Sequence, residues 1–372
     1  THHVPIVDDN RVLGIVSLLD VVAHESQNSL LLVRSILSSE SIDALAQLSE
    51  QLPAVYERLV NEHATSHMIG SAMSVIGASF MQQMAKLAEE ELGPPPVPYC
   101  LIALGSLARD EQLLVTDQDN ALILSDDYDE AAHGTYFEQF SKMVCEGLDR
   151  CGYPLCEGLI MASNPKWRMR RSEWRAQFTN WIEKPEPEAL LNACIFFDLV
   201  AVHGTKIWAK ELQKFISTKA KNSKPFLALL ARNALKRTPP LGVFKNFVLE
   251  EDGRQGKSLN IKRRGTAPLT DIIRVHALAT GSMSQNSFER LEDISKTKLL
   301  PQEKYDELTN ALELLYSLRA HQQMLAIRDK REPNNNIAPD TLSFTRQRSL
   351  KEAFNVVAQA QRFLKYRYTA NG

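Results

Sequence analysis

The feature that most constrains the fold is a proline-rich segment at residues 93–98, in which four of the six residues are proline. Proline lacks a backbone N–H and has a nearly fixed φ angle, so this segment cannot continue a helix. Its first residue, Gly93, is typical of a helix end. Apolar residues recur at helical spacing before the segment, whereas short apolar runs typical of buried strands follow it. We therefore predict a boundary here between a helical part and an α/β part.

The composition is ordinary for a globular protein, with 44% hydrophobic and 24% charged residues. The formal net charge of -2 gives no global field for nucleic acid or an anionic membrane, so we expect neither as a partner. The apolar stretches fall short of the roughly 20 residues that a membrane-spanning helix needs. The five cysteines include no CxxC pair, which favours reduced thiols over disulfides or a zinc site. These features predict a cytoplasmic protein of two or three domains.

Residues 1–25 form a separate fragment. Two short apolar runs flank a turn, which predicts a strand–turn–strand followed by a helix. Through residues 3–7 and 14–20 the fragment resembles the closing part of a cystathionine-β-synthase-type (CBS) regulatory module. In that family the residues at the positions of Ser17 and Asp20 contact an adenosyl ligand. Most of the module is missing, so we expect no working ligand site, and a longer parent protein would form a homodimer through its CBS modules.

Residues 26–93 are assigned to a helical linker or N-terminal helical domain. Apolar stripes at helical spacing run from Leu30 to Met84. The methionines of this stretch are interpreted as helical core instead of a binding face, because methionine readily fills gaps in packed interiors.

After the boundary the period of the apolar residues changes. The predicted elements are strands at 99–104, 119–124 and 157–162, a helix-like stretch at 107–114 and a helix at 136–151. Strands that alternate with helices over so short a stretch indicate a small α/β unit, which we assign to residues 94–225.

The rest of the chain is predicted to be helical. Residues 185–203 return to helical spacing, and the chain from Phe226 onward is helical apart from solvated loops at 249–256 and 331–339. Residues 226–372 are assigned to a helical C-terminal domain. The predicted fold class is α+β and predominantly helical, with a small α/β domain and its mixed sheet flanked by helical domains.

One segment carries residues suited to chemistry. A predicted strand delivers Gly105 and Ser106 to a helix start, where a missing side chain and the helix dipole favour a phosphate. Asp117 and Asp119 lie two residues apart at the mouth of the next strand, so their carboxylates point to one face and Gln118 to the other. Two such carboxylates are hard ligands suited to Mg²⁺ or Mn²⁺ shared with substrate phosphates.

This segment resembles the signature of the DNA polymerase β-type nucleotidyltransferase superfamily: an apolar strand, Gly-Ser, a spacer, then Asp-x-Asp before apolar residues. It is more closely similar to a bacterial nucleotidyltransferase family that is often fused behind CBS modules and is related to protein-PII uridylyltransferases. The similarity continues at residues 161–167 and 195–199 and in the helical C-terminal third. The resemblance implies that Asp117 and Asp119 bind the metal and that residues 105–106 cradle the triphosphate.

Further residues are assigned to the nucleotide or to the loop around it. Arg109 lies one turn after Ser106, placed to bind a phosphate through two hydrogen bonds, and a solvated helix arginine is the alternative. The residues assigned to nucleotide binding are Gly105, Ser106, Arg109, Thr116, Asn120 and Lys166. Glu111 and Gln112 are expected to order the loop or the metal shell.

The sequence departs from the superfamily pattern at its third carboxylate. The matching strand has an acid only at its entrance, Glu157. Asp198 lies on a predicted apolar helix, where an acid is more often paired than a metal ligand. His203 is interpreted as a helix-end histidine in preference to a general base. The general base is therefore unassigned, and weak or lost activity stays an alternative.

Two cationic stretches have two interpretations each. Residues 167–175 fit base stacking with phosphate contact, or an amphipathic helix start with solvated arginines. The basic patch that includes Lys262 and lies near Arg274 fits a cation that closes over a triphosphate, or an exposed loop.

These features predict a metal-dependent nucleotidyltransferase that transfers an NMP group from an NTP to a protein or small-molecule acceptor in signalling. The resemblance favours a regulatory protein as acceptor. The competing prediction is a weak or inactive nucleotide-binding module coupled to a CBS sensor. A haloacid-dehalogenase-type phosphatase with Asp117 as nucleophile is a third alternative, but it requires the strand to precede Asp117 and leaves the Gly105 turn unexplained.

Overall fold

The structure, a computed structural model, describes residues 3–8, 11–17, 29–242, 246–252 and 256–369. The helices are α1 (29–37), α2 (Ile42–Ser49), α3 (Leu52–Asn61), α4 (Ser66–Leu92), α5 (Gly105–Ala108), α6 (Glu130–Arg150), α7 (Arg171–Glu183), α8 (Pro187–Phe196), α9 (Ile207–Lys221), α10 (Lys224–Ala234), α11 (Ala267–Thr280), α12 (Ser287–Ser295), α13 (Gln302–Arg328) and α14 (Phe344–Thr369). The strands are β1 (His3–Asp8), β2 (Arg11–Ser17), β3 (Tyr99–Leu104), β4 (Asn120–Leu124), β5 (Arg168–Arg170), β6 (Leu199–Gly204), β7 (Glu250–Asp252), β8 (Gly256–Asn260) and β9 (Asn336–Ile337). The predicted fold class, α+β and predominantly helical, is confirmed.

Before the proline-rich segment, the observed secondary structure agrees with the elements predicted from the sequence. Strands β1 and β2 pair antiparallel as the predicted strand–turn–strand; the helix predicted after them, and Asp20, lie outside the described residues. The long helix α4 ends at Gly93, whose φ is +85°. Met73, Met81 and Met84 of α4 are buried, so the prediction of a helical core is confirmed for them, whereas Met68 at the start of the helix is exposed.

A four-stranded mixed sheet follows, in the order β5-β4-β3-β6. Strand β3 pairs antiparallel with β4 and β6, and β4 pairs parallel with β5. Every residue of the two central strands is buried, as expected for strands that are covered on both faces.

Two elements near the sheet differ from their predictions. The helix-like stretch after Gly105 lasts one turn, because Asp110 has a φ of +53° and the chain cannot continue as a helix. Residues 157–162 form turns in place of a strand, with Leu159 at a φ of +54°. The strand beside β4 is instead β5.

The helix predicted across residues 185–203 is confirmed for Pro187–Phe196 and wrong for the residues after it. It ends at Phe196, and the chain then forms β6, because pairing with β3 overrides the local helical spacing. Asp198 lies between α8 and β6. His203 is a strand residue, and its Nε2 is 3.2 Å from an oxygen of Glu89.

The C-terminal part is helical, as predicted, but both predicted loops contribute to a second sheet in the order β7-β8-β9. Strand β8 pairs antiparallel with both neighbours. Leu259 and Ile337 lie opposite each other and are each 1% exposed, so burial of these two apolar side chains stabilises the pairing of β8 with β9. The described residues include no helix that is long and apolar enough to span a membrane.

His276 is a buried titratable group that links two C-terminal helices. It lies on α11, and its Nδ1 is 3.1 Å from the hydroxyl of Tyr368 on α14. Burial, and to a smaller extent the charge of Arg367, lowers the pKa of His276 to about 3. The folded protein therefore keeps this imidazole neutral at a pH at which the unfolded chain binds a proton.

We expect His276 alone to lower the free energy of unfolding by about 2 kcal/mol between pH 7 and pH 5. Stability is lost as the pH falls, because the unfolded histidine protonates near its ordinary pKa of 6.5 and the folded one only near about 3. Urea denaturation should show that His276→Asn removes this part of the pH dependence. The exposed His63 provides the control, and His63→Asn should keep the wild-type slope; equal slopes in wild type and H276N would contradict the assignment.

Candidate functional site

A cleft of about 340 Å³ lies between the mixed sheet and the C-terminal helices. From the α/β part it is lined by Gly105, Ser106, Arg109, Glu111, Leu113, Val115, Thr116, Asp117, Asp119, Leu191, Cys194 and Ile195. From the C-terminal part it is lined by Asn233, Lys236, Arg237, Lys262, Thr266, Ala267, Thr270, Asp271, Arg274, Tyr316 and Arg319.

The turn between β3 and α5 requires glycine. Gly105 has a φ of +60°, and a Cβ at this position would lie 3.0 Å from Oδ2 of Asp119. The Gly105 N–H donates to the backbone carbonyl of Asp198 at 3.1 Å. This N–H is therefore already used and is not available to a phosphate as the sequence had led us to expect. The polar side chains that the turn presents to the cleft are the hydroxyls of Ser106 and Thr116, whose oxygens are 3.4 Å apart.

The two aspartates converge at the entrance of β4. Oxygens of Asp117 and Asp119 lie within 4.8 Å of each other and of Sγ of Cys156. Gln118 points the other way, where its amide donates to the carbonyls of Cys145 at 2.9 Å and Tyr153 at 3.0 Å. The alternation expected from strand geometry therefore holds at this position.

This acidic pair has the electrostatics of a cation site. Burial, and secondly the charge of Asp117, raises the pKa of Asp119 to about 6. Two carboxylates so close together repel each other, and a divalent cation between them would relieve that repulsion. Their oxygens are the ligands that Mg²⁺ and Mn²⁺ prefer, so the residues present fit such an ion.

Asp198 is fully buried and is surrounded by cations. One of its oxygens lies 2.8 Å from Arg109 Nη1 and 2.6 Å from Arg274 Nη2, and the other lies 2.6 Å from Arg290 Nη2. Burial alone would raise the pKa of Asp198, but Arg274, Arg290 and Arg109 hold it well below its ordinary value. Its carboxylate is thus paired and lies behind the cleft, so it is unsuited to be the missing third acid.

Glu111 joins the turn to the C-terminal helices. Its side chain accepts hydrogen bonds from Arg109 Nε at 2.8 Å, from the Ser287 N–H at 2.7 Å and from the Tyr316 hydroxyl at 2.7 Å. The Arg109 carbonyl accepts a further bond from the Asn286 amide at 2.8 Å. Arg109 is therefore held by two carboxylates, Glu111 and Asp198, and is not a solvated helix arginine.

Among the residues that the structure describes, a second group of cations faces the cleft without carboxylate partners. Arg319 is 5% exposed and donates to Asn335 at 3.1 Å and to Thr266 at 3.2 Å, and within the described residues it forms no ion pair with a carboxylate. Desolvation of its ammonium group, and secondly the charge of Arg319, lowers the pKa of Lys262 although the residue as a whole is exposed. We call Lys262 and Arg319, together with Lys236 and Arg237, the cationic wall.

Besides Asp198, four predicted site residues do not line this cleft. The Asn120 side chain lies behind the strand, where its oxygen accepts the Ala162 N–H at 2.8 Å. The Gln112 side chain is buried against Gly77 of α4. Glu157 is exposed outside the cleft lining. Lys166 lies at a different surface, with its ammonium 4.9 Å from the ring centre of Trp167.

Sequence reasoning missed Cys156 and three of the four residues of the cationic wall. Cys156 precedes the wrongly predicted strand. The wall combines Lys236 and Arg237 after α10 with Lys262 and with Arg319 on α13, which are distant in sequence, so no local pattern marked them. The aromatic residues of 167–175 are core: Trp167 and Trp174 are buried and pack on Phe196.

The fold and the cleft define an α+β protein with an acidic pair beside a glycine turn and a cationic wall opposite. Residues 50–188 match the family described as "Putative nucleotidyltransferase DUF294", and residues 224–368 match "Putative nucleotidyltransferase substrate binding domain". The two matches cover most of the chain and support a nucleotidyltransferase-like family for it. The search among curated proteins gives no match.

Asp198→Asn should lower the free energy of unfolding by about 3–5 kcal/mol, because it leaves three buried arginines without their shared carboxylate. Guanidinium denaturation would measure the change. The matched control is Asp43→Asn, which removes an exposed partner of Arg150 and should cost less than about 1 kcal/mol. Similar losses in both variants would show that Asp198 is not a structural centre.

Proposed function

We propose that the protein transfers a nucleotidyl group from an NTP to an acceptor hydroxyl and releases pyrophosphate, with Mg²⁺ or Mn²⁺ bound in the cleft. The observation that carries this proposal is the convergence of Asp117 and Asp119 beside the Gly105 turn, opposite Lys262 and Arg319. A cation and a polyphosphate therefore meet charges of opposite sign in one cleft. Both segments that match the family models contribute to its lining.

In this proposal each group of residues has one task. Asp117 and Asp119 hold the divalent cation, which when bound neutralises charge on the triphosphate and on the leaving pyrophosphate. Lys262 and Arg319 bind phosphate oxygens from the opposite wall, and the Ser106 hydroxyl donates to them at the turn. The acceptor oxygen bonds to the α-phosphorus, the bond to the pyrophosphate oxygen breaks, and the hydroxyl proton passes to water. Catalysis then rests on positioning and charge.

The acceptor is the second part of the proposal. The resemblance to protein-PII uridylyltransferases favours a regulatory protein and a role in signalling. The C-terminal segment, whose family description names a substrate-binding domain, would shape the acceptor site.

A nucleotide-binding regulatory module without turnover is the second candidate, and one observation favours it. Apart from the acidic pair, the described carboxylates of the lining are paired with arginines, Glu111 with Arg109 and Asp271 with Arg274. Asp198 is equally engaged, so none of these is free to deprotonate an acceptor. The transferase and the regulatory module both predict nucleotide binding, but only the transferase predicts turnover.

Asp117→Asn should lower metal-dependent transfer by about 10²-fold or more, because the cation loses half of its charged ligands. The measurement is transfer of α-phosphate label from each NTP in turn, with Mg²⁺ and a cell lysate as the source of acceptor. Asp110→Asn is the matched control: Asp110 lies outside the cleft lining, its φ of +53° suits asparagine, and its variant should retain transfer. Wild-type protein that binds NTP in equilibrium dialysis but labels nothing would favour the regulatory module.

Lys262→Ala should weaken NTP binding about tenfold, since a charge-assisted hydrogen bond to a phosphate contributes roughly 1.5–3 kcal/mol. Equilibrium dialysis with labelled NTP would measure the Kd. Lys257→Ala removes an equally exposed lysine from the neighbouring strand β8, outside the cleft, and should leave the Kd within about twofold. Equal losses in the two variants would mean that Lys262 acts only through general charge.

A further inference from the structure

A thiol lies against the acidic pair. Sγ of Cys156 lies within 4.8 Å of carboxylate oxygens of Asp117 and Asp119. Cys156 is only 7% exposed. The buried thiol is therefore directed at the same point as the two carboxylates.

The backbone holds this arrangement in place. The Gln118 N–H donates to the Pro154 carbonyl at 3.1 Å, and the Asn120 N–H donates to the Ile160 carbonyl at 3.1 Å. The loop of residues 154–160 is thus hydrogen-bonded to the entrance of β4 on both sides of Cys156. Its thiol has a fixed position beside the carboxylates and does not sit at the tip of a free loop.

We infer that Asp117, Asp119 and Cys156 form a mixed carboxylate–thiolate site for a soft divalent cation such as Zn²⁺ or Cd²⁺. On binding, the thiol loses its proton to water and a sulfur–metal bond forms, with no change of oxidation state. Thiolate selects such cations, whereas Mg²⁺ and Mn²⁺ prefer oxygen and would leave the thiol protonated. The open side of the cleft supplies the fourth position.

The spacing suits this chemistry. Zinc–ligand distances of about 2.0–2.3 Å place the ligand atoms of a tetrahedral site roughly 3.5 Å apart. The three ligand atoms here already lie within 4.8 Å of one another, so small side-chain rotations bring them to that spacing.

This inference shares two residues with the proposed function, but metal binding is measured without any nucleotide. A protein that binds Cd²⁺ through Cys156 yet transfers no nucleotide would defeat the proposed function alone. A protein that transfers nucleotide yet forms no sulfur–metal bond would defeat this inference alone.

The test is a titration of the whole chain with Cd²⁺, followed by the ultraviolet charge-transfer band of a cadmium–thiolate bond. Wild-type protein should show a saturable band at one Cd²⁺ per chain. Cys156→Ser should lose the band and bind Zn²⁺ at least about tenfold more weakly, with Mn²⁺ binding, read by paramagnetic resonance, within about threefold of wild type. Asp119→Asn should also lose the band although the thiol is still present.

Cys194→Ser is the matched control, because Cys194 lines the same cleft outside the three-residue cluster, and this variant should keep the band. Circular dichroism checks that each variant is folded. A wild-type protein without the band, or a band that survives in folded C156S or D119N, would overturn the inference.

Discussion

The buried charge of Asp198 is the interaction on which the cleft depends. Its backbone carbonyl accepts the N–H of Gly105, and its carboxylate binds Arg109 after the turn, Arg274 on α11 and Arg290 on α12. Asp198 thereby connects the glycine turn to helices α11 and α12. A buried carboxylate is tolerated only when it is paired, so its partners must stay in place for the protein to remain folded. The position of the turn relative to the C-terminal helices follows from this requirement.

The same network divides the charges of the cleft into two groups. Behind the turn, acids and arginines neutralise each other at hydrogen-bonding distance. In front of it, the pair Asp117 and Asp119 faces the cationic wall, and the described structure shows no ion pair between these two groups. Arg319 is bound instead by neutral partners, Asn335 and Thr266, which fix it without cancelling its charge. The front of the cleft therefore keeps charge of both signs for ligands.

The acidic pair and the glycine turn were predictable because their geometry is local. A strand places residues two apart on one face, and a tight turn against Asp119 leaves room for glycine only. Strand β6 was not predictable in the same way, since its partner β3 lies about a hundred residues earlier and its own spacing fits a helix. The role of Asp198 depends on arginines from two helices that are distant in sequence, and no sequence pattern near Asp198 indicates these partners. The mixed sheet was thus predicted from its two central strands, while its edges depended on contacts that only the folded chain shows.

The separation of the acidic pair from the cationic wall affects the stability of the empty cleft. Burial, and secondly repulsion by Asp117, raises the pKa of Asp119, while desolvation, and secondly the charge of Arg319, lowers the pKa of Lys262. Each side of the cleft is therefore less stable empty than it would be with a counter-charge. A cation bound by Asp117 and Asp119 would reduce the repulsion between these carboxylates, and an anion bound at the cationic wall would reduce the repulsion between its cations. Any ligand that binds only the native state stabilises that state. In the proposed function, a bound cation stops the acidic pair from repelling the polyphosphate. Because coupling between two sites is reciprocal, a bound polyphosphate must raise the affinity for the cation by the same factor.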